Sequence, residues 1–184
     1  MMVTAAIILA ASDATSDGLP LALMQVGNDT TLIEWQIEQL QLAGVEVIEV
    51  VLGYEADRIL SLVSGNDVEP IIDGRWQDGE ASCLRTAASA VPRDTQTAII
   101  VGIDYPVSRE TCRRLLATHR DDAEVTRAAV DGATLRLPVV VGATVLGQLR
   151  NVSAERGLDA IVATYTDGAN VVTIESRALP ASES

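Results

Sequence analysis

Apolar residues in this chain fall into two patterns: short unbroken runs, and longer stretches where they recur every three or four positions. Val3 to Ala11 is an unbroken, β-prone run of strand length. Ser12 to Pro20 breaks it with a small, polar loop. Asp29-Thr30-Thr31 can cap a helix in which Leu32, Ile33, Trp35, Ile37, Leu40 and Leu42 form a broad apolar face. Ala43-Gly44 ends it, since glycine suits a left-handed cap. Val45 to Gly53 is nearly continuous in Val and Ile, as an interior parallel strand should be. Tyr54 to Ser64 predicts a short amphipathic helix through Ile59, Leu60, Leu62 and Val63. Val68 to Ile72 predicts a third strand, with Pro70 suited to an edge or a strand start.

A loop over 73–79 leads into an Ala- and Ser-rich helix from Glu80 to Val91. Thr97 to Ile103 is a fourth strand, ending at Asp104-Tyr105-Pro106. Ser108 caps a helix from Arg109 to about His119, with Glu110 in its first turn. The extended segments 124–130 and 135–141, joined through Asp131-Gly132, predict a hairpin. Short helices over 144–149 and 154–163 and a strand over 170–174 complete the pattern, and 178–184 read as a frayed tail.

This alternation predicts one domain, 1–184, of three-layer α/β/α architecture around a mostly parallel, doubly wound sheet. Ligands of such sheets sit beyond the carboxyl ends of the strands. Two loops fall there: Ser12 to Pro20, and Asp104-Tyr105-Pro106. A strand, a small-residue loop and a helix at the start of a chain commonly form the phosphate-handling corner of a nucleotide-binding domain.

Composition narrows the partners. The net charge is -13, which argues against nucleic acid and anionic membranes. All 13 basic residues are Arg, so chemistry that requires a Lys is excluded. One histidine, His119, cannot build a His triad or a His metal cluster, and it reads as a residue at a helix C-terminus. Cys83 and Cys112 lie far apart without metal-ligand spacing and read as free thiols of a reducing cytosol. No signal peptide is evident, and the first apolar run is too short to span a bilayer. The expectation is a cytoplasmic protein with a small-molecule ligand.

Asp104, directly after a strand, is well placed to hold a divalent metal, because Mg²⁺ favours one or two carboxylates plus phosphate oxygens. Capping of the turn before Pro106 is the equal alternative. Gly79 to Arg85 opens a helix with small residues, whose backbone N–H groups can receive a ligand oxygen or a base edge.

In order, these pieces resemble the MobA-like nucleotidyltransferases, the group of the molybdenum-cofactor cytidylyl- and guanylyltransferases. The matching stretches are Ile7 to Ala11, Gly18-Leu19-Pro20, Thr31 to Glu34 with Leu42-Ala43-Gly44, Trp76 to Arg85, and Asp104 to Val107 with Glu110-Thr111. They span roughly residues 3 to 150. The resemblance implies a nucleotide-diphospho-sugar-transferase-like fold, binding of an NTP with Mg²⁺, and release of pyrophosphate. It places nucleotide contacts at Leu9, Ala10, Ala11, Ser12, Ser16, Gly18, Gly79 and Ser82. It makes Asp104 the catalytic carboxylate and metal ligand, with Glu175 as a substitute for the family's second acidic ligand. The acceptor it implies is a pterin or a sugar phosphate.

The chain also departs from the family. Where the loop normally carries Gly, Arg and, after Pro, Lys, this chain has Ser12, Ser16 and Leu21. The family's Gly-His-Pro appears as Arg136-Leu137-Pro138. A charge-assisted phosphate contact contributes about 1.5–3 kcal/mol, so loss of two cations costs roughly three orders of magnitude in rate. Arg75 and Arg85 are the nearest candidates to compensate. Two readings stay open: an active nucleotidyltransferase, and a catalytically silent relative that binds nucleotide or cofactor or serves assembly.

Overall fold

The computed structural model describes residues 3–11, 14–27, 29–63, 68–120 and 122–175. Ser12 and the tail 178–184 therefore lie outside the described residues. Among the described residues, seven strands form one sheet: β1 (Thr4–Ala10), β2 (Val47–Leu52), β3 (Val68–Ile72), β4 (Thr97–Gly102), β5 (Val125–Val130), β6 (Ala133–Gly142) and β7 (Asn170–Thr173). Their order is β3-β2-β1-β4-β6-β5-β7. Only β6 runs against the others, pairing antiparallel with both β4 and β5. The 124–130/135–141 hairpin thus forms, and its second arm inserts beside β4. That placement follows from no local pattern and was not visible in the sequence.

The central strands are apolar on both faces because both are covered. On one face, Ala6, Ile8, Ile48, Val50, Ile99 and Val101 pack against α1 (Leu32–Leu42), α2 (Ala56–Leu60) and α4 (Arg109–Thr118). On the other, Ala5, Ile7, Ile100, Val139 and Val141 pack against α3 (Glu80–Ala90), α5 (Ala143–Leu149) and α6 (Gly157–Ala163). The result is the α/β/α arrangement that the alternation predicts. No described helix is long and apolar enough to cross a membrane.

Caps set the helix starts. The Thr31 side chain receives the Glu34 N–H while Glu34 reaches back to the Thr31 N–H, forming a capping box on α1. Ser108 caps α4 through the Thr111 N–H. The helix expected over 54–64 is shorter, because its entry residue Glu55 is left-handed at φ 49 and the helix spans only Ala56–Leu60. The helix expected over 154–163 starts late, at Gly157, after a turn over 154–156.

Candidate active site at the carboxyl ends of β1 and β4

The chain runs from β1 outward to β2 and β3 on one side, and returns through β4 on the other. Strand order reverses between β1 and β4, the place where an open α/β sheet offers a crevice. A cavity of about 220 Å³ lies there, lined by Leu9, Ala11, Glu80, Cys83, Gly102, Asp104, Arg136 and Leu137.

Asp104 is exposed two residues beyond the end of β4. Its carboxylate folds back over Gly102: a Cβ at that glycine would come within 2.3 Å of Asp104 Oδ1. The following backbone is held from below. Gln36 on α1, fully buried, accepts the Val107 N–H (2.8 Å) and donates to the Val107 carbonyl (3.2 Å). Nothing in the apolar pattern of α1 marks this two-point clamp.

Of the expected nucleotide contacts, Leu9 and Ala11 line the cavity. Ala10 points to the opposite face, into the α1 side of the core, as strand alternation requires. Ser16 and Gly18 are exposed in the loop over 14–20. That loop is bonded to itself: the Thr15 N–H reaches the Leu19 carbonyl (2.8 Å) and the Gly18 N–H the Thr15 carbonyl (2.9 Å). The Gly18 carbonyl accepts from Tyr54 Oη (3.0 Å). A phosphate cradle from Ser12 to Gly18 therefore has fewer backbone donors to offer than the sequence suggests.

On α3 the helix phase corrects the expectation by one residue. Glu80 and Cys83, three apart on one face, line the cavity, whereas Ser82 is 2% exposed and turned into the packing. Its N–H is bonded to the Gly79 carbonyl, and its Oγ has no partner among the described residues. Gly79 is exposed at φ +97, a conformation that favours glycine. The segment before it is anchored by Trp76, whose ring lies where a Cβ on Gly53 would be, 2.4 Å from its Cγ.

Burial first, then the neighbouring Asp73 carboxylate, pushes the Cys83 thiol up to about 12. Cys83 is thus a neutral wall residue at physiological pH and no nucleophile.

Neither arginine near the motif supplies the missing charge within the cavity. Arg85 donates to the Val152 carbonyl (2.7 Å), which ties α3 to the segment after α5. Arg75 is exposed and does not line the cavity. The cation that does is Arg136, at the head of β6, paired with Glu80 and with Asp159 (Nε–Oδ2 3.1 Å). Burial would lower the guanidinium's pKa, but its two carboxylate partners outweigh that and raise it. In the sequence Arg136 stands only as the first residue of the Arg136-Leu137-Pro138 match, with nothing local to mark it as a cation of the site.

Glu175 does not join Asp104 at the strand ends. β6 and β5 stand between β4 and β7, so the two ends are three strand spacings apart, roughly 14 Å. Glu175 is exposed beyond β7. Glu175 is therefore not placed to share a cation with Asp104, because the inserted hairpin separates the two strand ends. Among the described residues, no group of three or more His, Cys, Asp or Glu gathers to hold a metal. One accessible carboxylate on a strand crest still fits Mg²⁺ or a similar cation, which takes few protein ligands and completes its shell with phosphate and water.

Solved structures share this architecture. Rv0371c from Mycobacterium tuberculosis H37Rv is similar over 99% of this chain and 92% of its own, with a TM-score of 0.80 and 19% identity. The same protein is known as a manganese complex, at a TM-score of 0.76 and 20% identity over 100% of this chain and 93% of its own. A nucleotidyl transferase from Methanothermobacter thermautotroptrophicus matches at 0.74 with 20% identity, over 95% of this chain and 87% of that one. Molybdopterin-guanine dinucleotide biosynthesis protein A from Archaeoglobus fulgidus matches at 0.63 with 17% identity, over 93% and 83%. At these identities the likeness is one of fold. No curated protein sequence matches the chain. The model of the MobA-like NTP transferase domain matches residues 6–170, nearly the whole described sheet, and the chain belongs to that nucleotidyltransferase family.

Proposed function

We propose that this chain transfers a nucleotidyl group from CTP or GTP to a phosphorylated acceptor of the molybdopterin kind, with release of pyrophosphate. The observation that carries the reading is the Asp104 carboxylate, folded over Gly102 at the reversal point of the sheet and facing a cavity between β1 and α3. Asp104 would hold a divalent cation, Mg²⁺ in this reading. When bound, that cation offsets charge on the phosphate oxygens. The β1 end at Leu9 and Ala11 and the loop through Ser12, Ser16 and Gly18 would carry the nucleotide. Gly79 and the α3 face of Glu80 and Cys83 would line the acceptor side.

Purified protein with Mg²⁺, CTP or GTP and a molybdopterin acceptor is expected to release pyrophosphate. Release with neither nucleotide, for pterin and sugar-phosphate acceptors alike, would contradict the reading. A second reading, a silent nucleotide- or cofactor-binding module, is favoured by the loop N–H groups already used at Thr15 and Gly18. It expects binding without turnover.

Gly102 offers a local check. Asp104 Oδ1 is the free end of a side chain and can swing away from an added methyl. Gly102→Ala is therefore expected to cost about 1 kcal/mol of stability or less, yet to weaken Mg²⁺-dependent nucleotide binding about tenfold. Unchanged affinity in a titration of the variant would mean that the carboxylate's position does not matter.

A further inference from the structure

Among the described residues, the cavity beside Asp104 has one cation in its lining, and it comes from neither the loop nor α3. Arg136 stands on β6, which lies on the opposite side of β4 from β1. It therefore flanks Asp104 from the side away from the 14–20 loop. Its Nη2 meets Glu80 in the first turn of α3, and its Nε meets Asp159 on α6. Other arginines are committed to backbone elsewhere: Arg85 to Val152, Arg127 to Leu135, Arg150 to Ala88 and Arg114 to Thr173.

We propose that Arg136 is the phosphate-binding cation of this cleft, and that Glu80 is its counter-ion and competitor. The inference rests on the nucleotidyltransferase reading and adds the group that handles the anion. A guanidinium offers five donors in a planar fork suited to phosphate, so it can hold one carboxylate and a phosphate together. Asp159, on a separate helix, keeps the fork aimed when Glu80 yields. The Arg136 side chain is 45% exposed and that of Glu80 31%, and an ion pair so open to water is weak enough for an anionic ligand to displace. Without that displacement, an incoming phosphate would face the carboxylates of Glu80 and Asp104 together. The phosphate is the nucleotide's or the acceptor's, since the chemistry at Arg136 is the same.

The test is calorimetric titration of the intact protein in Mg²⁺ with CTP, GTP, their parent nucleosides and inorganic phosphate. Arg136→Gln is expected to weaken CTP or GTP binding about 10- to 100-fold while leaving nucleoside affinity unchanged. Arg136→Lys keeps the charge but not the fork and is expected to lose less affinity than Arg136→Gln, which separates a charge effect from a folding defect. Glu80→Gln is expected to tighten binding a fewfold in the parent and to have no effect beside Arg136→Gln. If Arg136→Gln weakens inorganic phosphate but neither nucleotide, the phosphate held at Arg136 is not the nucleotide's and the inference stands. If it weakens none of these ligands, or if Glu80→Gln acts equally without Arg136, the inference is overturned. A parent protein that binds neither nucleotide nor phosphate overturns the nucleotidyltransferase reading itself, and this inference with it.

Discussion

Replacing Asp104 by asparagine is expected to lower Mg²⁺-dependent nucleotide binding at least ~100-fold and to take pyrophosphate release below detection. The side chain is exposed, so the fold should not register the change: stability is expected to stay within about 0.5 kcal/mol. Asparagine keeps the size and one acceptor oxygen but loses the charge. A hard divalent cation binds charged oxygen far better than an amide, so the loss isolates the electrostatic role. The surrounding backbone stays fixed by Gln36 at Val107 and by the Ile103 N–H bonded to the Leu9 carbonyl (3.0 Å). Paired titrations and unfolding curves of parent and variant check both halves. Equal affinity in the two proteins would mean that the cation, if one is used, binds elsewhere.

The second large effect lies away from the site, on β2, one strand in from the edge of the sheet. Glu49 sits on β2, beside Ile7 on β1 and Glu69 on β3, and is 3% exposed. Its Oε2 has no hydrogen-bond partner among the described residues. Burial, and then the Glu69 carboxylate, push its pKa from 4.5 to about 7. The folded protein therefore binds this proton more tightly than the unfolded chain does. Stability from that proton is complete below about pH 4.5 and is lost as pH rises to about 7. Above that pH both states are ionised and the penalty is constant, at about 3 kcal/mol. Glu49→Gln removes the titration. Its stability should stay flat relative to the parent's decline between pH 4.5 and 7, and at pH 8 the variant should be the more stable by about 1–2 kcal/mol. The gain is less than the full penalty because the buried amide carries its own desolvation cost. Urea unfolding of both proteins across this pH range gives the difference directly. Parallel curves would show that Glu49 is solvated or paired in solution.

The parts of this molecule that were legible in the sequence are those set by local pattern. The strand runs through Val3–Ala11, Val45–Gly53 and Thr97–Ile103, the caps at Thr31 and Ser108, and Asp104 at the end of β4 all depend on residues within a few positions. Two misplacements arose from phase. Ala10 and Ser82 are each one residue from a cavity-facing neighbour, and alternation along a strand or a helix turn sends them the other way. The remaining differences are non-local. Arg136 reaches the site only because β6 reverses and pairs with β4, and the same insertion carries Glu175 away from Asp104. Neither motif spacing nor composition reports strand order. Gln36 reads as a polar interruption of an apolar helix face, and its role appears only when Val107 is placed above it.

The measurement that bears most directly on the account is calorimetric titration of the unmodified protein with CTP and GTP, with and without Mg²⁺. The account predicts binding in the micromolar range, about 8 kcal/mol, with at least one nucleotide when Mg²⁺ is present and little or none without it. Such a result would mean that Asp104 and Arg136 sustain a nucleotide site without the cations the loop lacks. No binding in either condition, or binding indifferent to the metal, would contradict it.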